Sequence, residues 1–381
     1  MREEFIDIWK NLPSTLLEAA KNIDAQDVSQ VMRLRKKFNA EQVRAAIELT
    51  KARHKAQSKF PDIADRIFAD THAIEMASSM IVARHKSLRF MSKNNIWDLC
   101  CGIGGDMLAL SEIADQVVGY ELDALRAWMC QLNTKRTVKV CDVTQQDFRD
   151  GIFHIDPARR DTGGKRKWRF DDIIPGPDFI TQLVANNNGG CIKLAPSINQ
   201  DDLPFEAELE YISENNRLVQ GLAWTGELNQ NQRTATVIQN KQIHTLHGNP
   251  NTLFHDRLSD EQQYLYTIDP AIERANLIPE LASRLSATII HEKLGLLTSN
   301  QQLTSPFIKG FKLIEQMGWK ENRIKKWLEE HNAGIVEIKT RGKIINPDII
   351  QNKLRGKGNQ TYTLFILRKN KRILTYITKR I

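Results

Sequence analysis

Between the N-terminus and about residue 90, apolar residues recur at intervals of three and four. Phe5, Ile8, Trp9 and Leu12 make one such stripe, and Val43 and Ile47 another. Side chains at that spacing share one face of an α-helix, so residues 1–90 are expected to be helical. Ser14 and Asp24 are residue types that cap helix starts. Thr71 lies three residues before Ile74 and four before Glu75 and reads as a further start, running into the next segment. From about 91 to 240 the period changes. Short apolar runs, Asn95 to Leu99, Val117 to Tyr120, Val138 to Val140, Ile152 to Ile155 and Gly190 to Ala195, alternate with helical stretches such as Met107 to Ala114. Strands separated by helices predict a parallel, doubly wound α/β sheet. Glu208 to Ser213 and Leu218 to Trp224, joined by Glu214-Asn215-Asn216-Arg217, read as a closing hairpin, giving seven strands; Thr234 to Gln239 offers a further strand.

Residues 241–305 read as a connecting region or a small α+β, ferredoxin-like unit. It has a strand near Leu265 to Ile268 and one or two helices from Ala271 to Leu285 broken at Pro279. Residues 306–381 read as a small α+β module. Phe311 to Met317 and Glu321 to Glu330 are expected helices, Ile335 to Lys339 a strand and Asp348 to Leu354 a helix. Thr361 to Arg368 and Arg372 to Thr378 form a strand pair.

Composition narrows the class. The chain has 381 residues and a hydrophobic fraction of 41%, enough for several cores. It contains no apolar run of about 18 residues, so no membrane-spanning helix is expected. The acidic start Met1-Arg2-Glu3-Glu4-Phe5 does not resemble a secretory signal. Cys100, Cys101, Cys130, Cys141 and Cys191 form no CxxC pair. They read as small buried hydrophobes of a reducing, cytoplasmic protein without a metal site. The net charge of +8 is unevenly spread: Gly310 to Ile381 holds 17 Lys and Arg against 6 Asp and Glu, leaving the remainder slightly acidic. A basic module on a near-neutral body points to an anionic macromolecule, most often nucleic acid, as partner; a solvated lysine-rich surface is the plainer alternative. The oligomeric state is not legible.

The chemistry concentrates where strands end. Asp98-Leu99-Cys100-Cys101-Gly102-Ile103-Gly104-Gly105-Asp106 places an acid before a glycine-rich turn, and Glu121 closes the second strand. A dinucleotide fingerprint would need a third glycine where Met107 stands, and Asp98 would repel a pyrophosphate. An acid there suits a cationic ligand. The pattern D-x-x-x-G-x-G-G with a downstream Glu resembles the class I S-adenosylmethionine-dependent methyltransferases. That resemblance implies the seven-stranded Rossmann-like sheet and S-adenosylmethionine as cofactor. It implies contacts from Asp98, Cys100, Gly102, Gly104 and Gly105, ribose binding by Glu121 beside Leu122, and adenine binding by Asp142 and Val143. The helix before the first strand commonly lids such a pocket, which makes Thr71 a candidate contact. An N-cap is the ordinary role for Thr71 and for Asp142.

The fourth strand ends Asp156-Pro157-Ala158-Arg159-Arg160. Acid-proline at this point resembles the acceptor motif of methyltransferases acting on nucleobase nitrogens, implying that Asp156 and Pro157 orient the target amine. Ala158 and Arg159 stand where that motif has proline and an aromatic; an arginine can stack by its guanidinium plane or bind phosphate. Lys165-Arg166-Lys167-Trp168-Arg169 interleaves cations with an aromatic. Together with Phe170-Asp171-Asp172-Ile173 and Lys193-Leu194-Ala195-Pro196-Ser197, residues 68–226 resemble the RNA cap guanine-N2, trimethylguanosine synthase-like family. Asp156 to Arg160 and the C-terminal module are similar to methyltransferases carrying a THUMP-like domain. These resemblances imply RNA as substrate, with Arg159, Arg160, Lys165, Arg166, Trp168, Lys193 and Pro196 near it. Lys339-Thr340-Arg341-Gly342-Lys343 makes Arg341 a candidate phosphate contact. A pyrimidine C5 methyltransferase would require a cysteine after the fifth strand, where Ala195-Pro196 stands. Methylation of a small molecule or protein, and RNA binding without catalysis, stay open as rivals.

Overall fold

The structure is a computed structural model describing residues 2–159, 169–253, 258–290, 295–342, 344–369 and 371–381. It divides into two compact units: residues 1–209 with 221–230, and residues 210–220 with 231–381.

The first unit opens with helices Arg2–Lys10, Ser14–Lys21, Val28–Arg35, Ala40–Ala56, Thr71–Met76 and Met80–Ser87. Their caps differ from the sequence reading. Ser14 is the first helical residue after Pro13, and Asp27 rather than Asp24 caps the third helix, accepting from Ser29 and Gln30 N–H. The longest helix starts where Asn39 accepts from Glu41 N at 2.8 Å, satisfying a donor the helix leaves open. Ala45, Leu49, Ala52 and Ala56 line its buried face. That face joins Phe60, Ile74, Ile103, Ala109 and Met129 in one core, so the helical segment is sealed onto the glycine-rich turn.

The strands of the first sheet are β1 Ile96–Leu99, β2 Val117–Glu121, β3 Val138–Val140, β4 Ile152–Ile155, β5 Gly189–Leu194, β6 Glu208–Glu214, β7 Arg217–Gly226, β8 Arg233–Gln239 and β9 Gln242–Gly248. Their order is β9-β8-β6-β7-β5-β4-β1-β2-β3. The expected seven strands are thus nine, because Thr234 to Gln239 does extend the sheet and pairs antiparallel with a ninth strand. β1 pairs in parallel with both β2 and β4, and the strand order reverses between β1 and β4. In open α/β sheets that reversal opens a crevice beyond the carboxyl ends of the strands, where ligands bind.

The second sheet contains β10 Tyr264–Ile268, β11 Thr288–Ile289, β12 Leu296–Ser299, β13 Ile308–Gly318, β14 Ala333–Thr340, β15 Gln360–Lys369 and β16 Arg372–Arg380, in the order β11-β12-β10-β13-β16-β15-β14. The expected helix over Phe311 to Met317 is instead the long strand β13. Its pairing with β16 slips between Leu313 and Glu315. That bulge breaks the alternation of apolar residues, so the spacing imitates a helical stripe. The helix Glu321–Glu330 forms as expected, burying Ile324 and Leu328 one turn apart. Among the described residues no helix is long and apolar enough to cross a membrane.

Candidate functional site

β1 ends in a turn that only a special backbone can make. Cys100, Gly102 and Gly104 take φ of 58°, 57° and 87°, alternating with neighbours of negative φ. Such alternation turns successive N–H groups toward one side. At Gly104 an added Cβ would sit 2.7 Å from Thr134 Cγ2 and 2.8 Å from Cys130 Sγ, so close helix packing demands glycine there. At Gly102 no atom lies within 4 Å of that point; the backbone fronts open space, as a cradle for a ligand must. Gly102 N donates to Glu121 Oε2 at 2.8 Å, and Asp123 N donates to Oε1 at 2.9 Å, which fixes the carboxylate at the tip of β2. Leu122 beside it is 61% exposed, whereas Val143 is buried. Asp142 is exposed. The Thr144 hydroxyl and N–H hold its carboxyl below the usual range, the capping role foreseen as its alternative.

Behind the turn lies a buried polar chain. Asp98 Oδ1 lies within hydrogen-bond distance of His154 Nδ1, at 2.7 Å, and His154 Nε2 stands 3.7 Å from Asp106 Oδ2. Asp106 is ion-paired with Lys86 at 2.6 Å and accepts from Ser78 Oγ at 3.1 Å. All five residues are buried. Burial pushes the Asp98 carboxyl above its ordinary range, against the pull of His154. Burial acts the same way on Asp106, but the charges of Lys86, His154 and Lys193 overcome it and hold that carboxyl low. Among the described residues Asp98 Oδ2 has no hydrogen-bond partner, an orphaned acceptor in a site read as binding a cation.

Asp156 follows β4 directly, and its Oδ2 accepts from Lys193 Nζ at 2.6 Å. The pair follows from register: Ile155 lies opposite Ile192 in the parallel β4–β5 ladder, which sets Asp156 opposite Lys193. Lys193 also reaches the Met76 carbonyl at 3.3 Å, at the end of the helix Thr71–Met76. Burial pushes the Cys100 thiol up, and the charges of Glu121, Asp156, Asp98 and Asp142 raise it further.

The structure places Asp98, Cys100, Gly102, Gly104, Gly105, Glu121, Asp142 and Asp156 at the ends of β1 to β4 and in the turn after β1. Thr71 is half-buried, and its N–H and hydroxyl are both held by Glu48 Oε1, at 2.8 and 2.6 Å. Pro157 is buried and Pro196 half-buried after β5. Arg159 is described by its backbone alone, in a two-residue strand paired with Ile173. Arg160, Lys165, Arg166 and Trp168 lie outside the described residues. Arg341 lies in the second unit, ion-paired with Glu273. Sequence reasoning missed His154, Lys86 and Ser78. A lone histidine inside the apolar run Ile152-Phe153-His154-Ile155 was the available signal for the first.

Residues 308–380 match the family model described as THUMP domain-like. Two Mycobacterium tuberculosis proteins, from strains CDC 1551 / Oshkosh and ATCC 25618 / H37Rv, are each 27% identical to this chain over 360 residues, 87% of this chain and 94% of theirs. Both are named uncharacterized S-adenosylmethionine-dependent methyltransferases. A solved structure of a candidate methyltransferase from Porphyromonas gingivalis W83 is 17% identical, with a TM-score of 0.74 over 99% of this chain and 98% of that one. The chain has a methyltransferase fold and ends in a THUMP-like domain.

Proposed function

We infer that the chain is an S-adenosylmethionine-dependent methyltransferase acting on a base nitrogen of RNA. The observation that carries the reading is that Asp98, Glu121, Asp142 and Asp156 stand at the carboxyl ends of the four neighbouring strands β1 to β4, beside the glycine turn and the reversal of strand order. The names of the mycobacterial relatives support the cofactor. So does the site itself, through the open Gly102 backbone, the oriented Glu121 carboxylate and the orphaned Asp98 Oδ2. Bound there, the cofactor would supply an electrophilic methyl group on a sulfonium. Glu121 would accept from the ribose hydroxyls, Asp142 from the adenine amine, and Leu122 and Val143 would supply apolar contact. Asp156 is held by Lys193 through Oδ2; Oδ1 would accept from the N–H of the substrate amine, turning its lone pair toward the methyl group. The reaction then rests on positioning.

Glu121→Ala is expected to weaken S-adenosylmethionine binding by about 1–3 kcal/mol, the usual loss for charge-assisted hydrogen bonds. Calorimetry reads it, and unchanged affinity would remove Glu121 from the site. The substrate class is tested by mass spectrometry of RNA nucleosides from cells with and without the gene. A methylated nucleoside missing without the gene supports RNA; identical nucleosides shift the activity to a small molecule or protein.

RNA binding is expected to be electrostatic. Log affinity should fall by about 0.7 per log unit of salt for each single-strand phosphate contacted. Arg323, Lys325 and Lys326 are exposed on the helix Glu321–Glu330. Replacing all three by Gln should flatten the slope by up to about 2. A slope unmoved in filter binding would show that this helix face does not touch RNA.

A further inference from the structure

The second unit contains a cleft of about 410 Å³ that the proposed methyl transfer does not use. Its walls include Ile268, Leu296, Ile338, Phe365 and Leu367, so much of its lining is apolar. Small-ligand sites have this volume and this make-up, apolar walls with a few polar groups that fix orientation.

Two of those polar groups are unsatisfied in complementary ways. Asp269 lines the cleft and is only 5% exposed. Its Oδ1 accepts from Ser213 Oγ at 2.6 Å and from Ala271 N at 2.9 Å, capping the short helix Pro270–Arg274. Its Oδ2 is buried and has no hydrogen-bond partner among the described residues. A buried carboxylate oxygen without a donor carries a desolvation penalty, so this atom calls for an N–H or O–H that the described protein does not supply.

Three cations line the same cleft. Arg341 is ion-paired with Glu273, and Lys339 with Glu337 at 2.9 Å. Lys309 is paired by its backbone opposite Thr267 in the β10–β13 ladder. Among the described residues its ammonium has no ion-pair partner within salt-bridge distance, and the charges of Asp269 and Glu337 act on it from further away. Burial, together with the charges of Arg380 and Lys339, pushes the Lys309 ammonium below its ordinary range. An anion beside Lys309 would reverse that cost. The cleft thus offers an acceptor for one N–H, a cation for one anion, and apolar walls.

We propose that this cleft binds a nucleotide whose base carries an exocyclic amine, with Asp269 Oδ2 accepting from that amine and Lys309 holding the phosphate. An amino acid would meet the same two charges but leave most of about 410 Å³ unfilled. The nucleotide can be free or a residue of an RNA chain, since both present the same groups. The inference does not depend on methyl transfer.

The test uses the full-length chain and calorimetry with CMP, UMP and cytidine. CMP is expected to bind, with UMP about tenfold or more weaker because its O4 cannot donate to Asp269. Cytidine should be about tenfold or more weaker than CMP because it lacks the phosphate. Lys309→Gln should bring CMP down to the affinity of cytidine. Asp269→Asn keeps an oxygen for the helix cap but turns the second position into a donor, so it should reverse the order of CMP and UMP. If Asp269→Asn does not fold, the Lys309→Gln comparison still decides. Displacement of CMP by a short oligocytidylate assigns the site to an RNA residue, and binding of CMP without displacement assigns it to free nucleotide. Absence of CMP binding, equal affinity for CMP and UMP, or a phosphate preference that survives Lys309→Gln would overturn the proposal. S-adenosylmethionine binding is read on the same samples, so loss of this site is distinguished from failure of the methyltransferase reading.

Discussion

Asp156→Ala is expected to lower methyl transfer by about 10²- to 10⁴-fold, the range for losing a group that positions or exchanges a proton at the reacting atom. The single variant also takes a carboxylate away from Lys193, whose side chain is 12% exposed, and so leaves an uncompensated positive charge near a site read as binding a sulfonium. Some loss of cofactor affinity would follow from that charge alone. The double variant Asp156→Ala/Lys193→Met removes both charges. It should bind S-adenosylmethionine like the parent while staying as inactive as the single variant. Lys193→Met alone should keep partial activity, because Asp156 is present but less firmly oriented. Calorimetry and transfer of labelled methyl to RNA separate the two effects. An active Asp156→Ala enzyme would place the acceptor site elsewhere.

Lys86→Met should be the most destabilising change in the first unit. The Lys86 side chain is 2% exposed and its ammonium sits 2.6 Å from Asp106, itself 8% exposed. Breaking a buried pair from one side leaves an uncompensated charge and costs about 3–5 kcal/mol. The remaining carboxylate would keep the Ser78 hydroxyl and the charges of His154 and Lys193, none of which is a direct ion pair like that with Lys86. For a unit of this size that corresponds to a midpoint roughly 6–20 °C lower. Two units need not melt together, so protection from hydrogen exchange along the helix Gly105–Ile113 is the cleaner readout. Pairing holds Asp106 below its ordinary range. Its contribution is therefore present above that range and lost as pH falls through the lowered value, and the deficit of Lys86→Met should shrink in acid. Lys86→Met/Asp106→Asn should recover part of the loss. An unchanged exchange pattern in Lys86→Met would mean that the pair contributes nothing to folding.

Local chemistry explains what was legible in the sequence. The turn after β1 is written in glycines because φ of 57° and 87° at Gly102 and Gly104 admits little else. The strand-end acids are legible because alternating strands and helices fix where strands stop. The helix Glu321–Glu330 was readable from Ile324 and Leu328. What failed to show was non-local. Nothing in Met80 to Ser87 announces that Lys86 will be buried against Asp106, since that contact joins a helix of the N-terminal segment to the start of the one after the glycine turn. The Lys193–Asp156 pair depends on which strands become neighbours. β13 was misread because one bulge moved its apolar residues out of step. The cleft around Asp269 draws on segments more than a hundred residues apart, from Asn216 to Leu367, and no window of sequence contains it.

The placement of β13 also governs how the chain can be divided. The THUMP-like match begins at Ile308, the first residue of β13, as though a detachable cassette started there. Yet Tyr264 to Ile268 of β10 are zipped along their whole length to Lys312 through Ile308. Their other side is taken by β12. A fragment ending near Ser305 would expose a bare row of backbone N–H and C=O groups on β10, a ready template for intermolecular strand addition. Such a fragment should precipitate or associate even though its own sequence is intact, and the complementary piece, grafted onto another protein, would carry the matching raw edge on β13. The two halves of this sheet are best handled, expressed and transplanted as one piece.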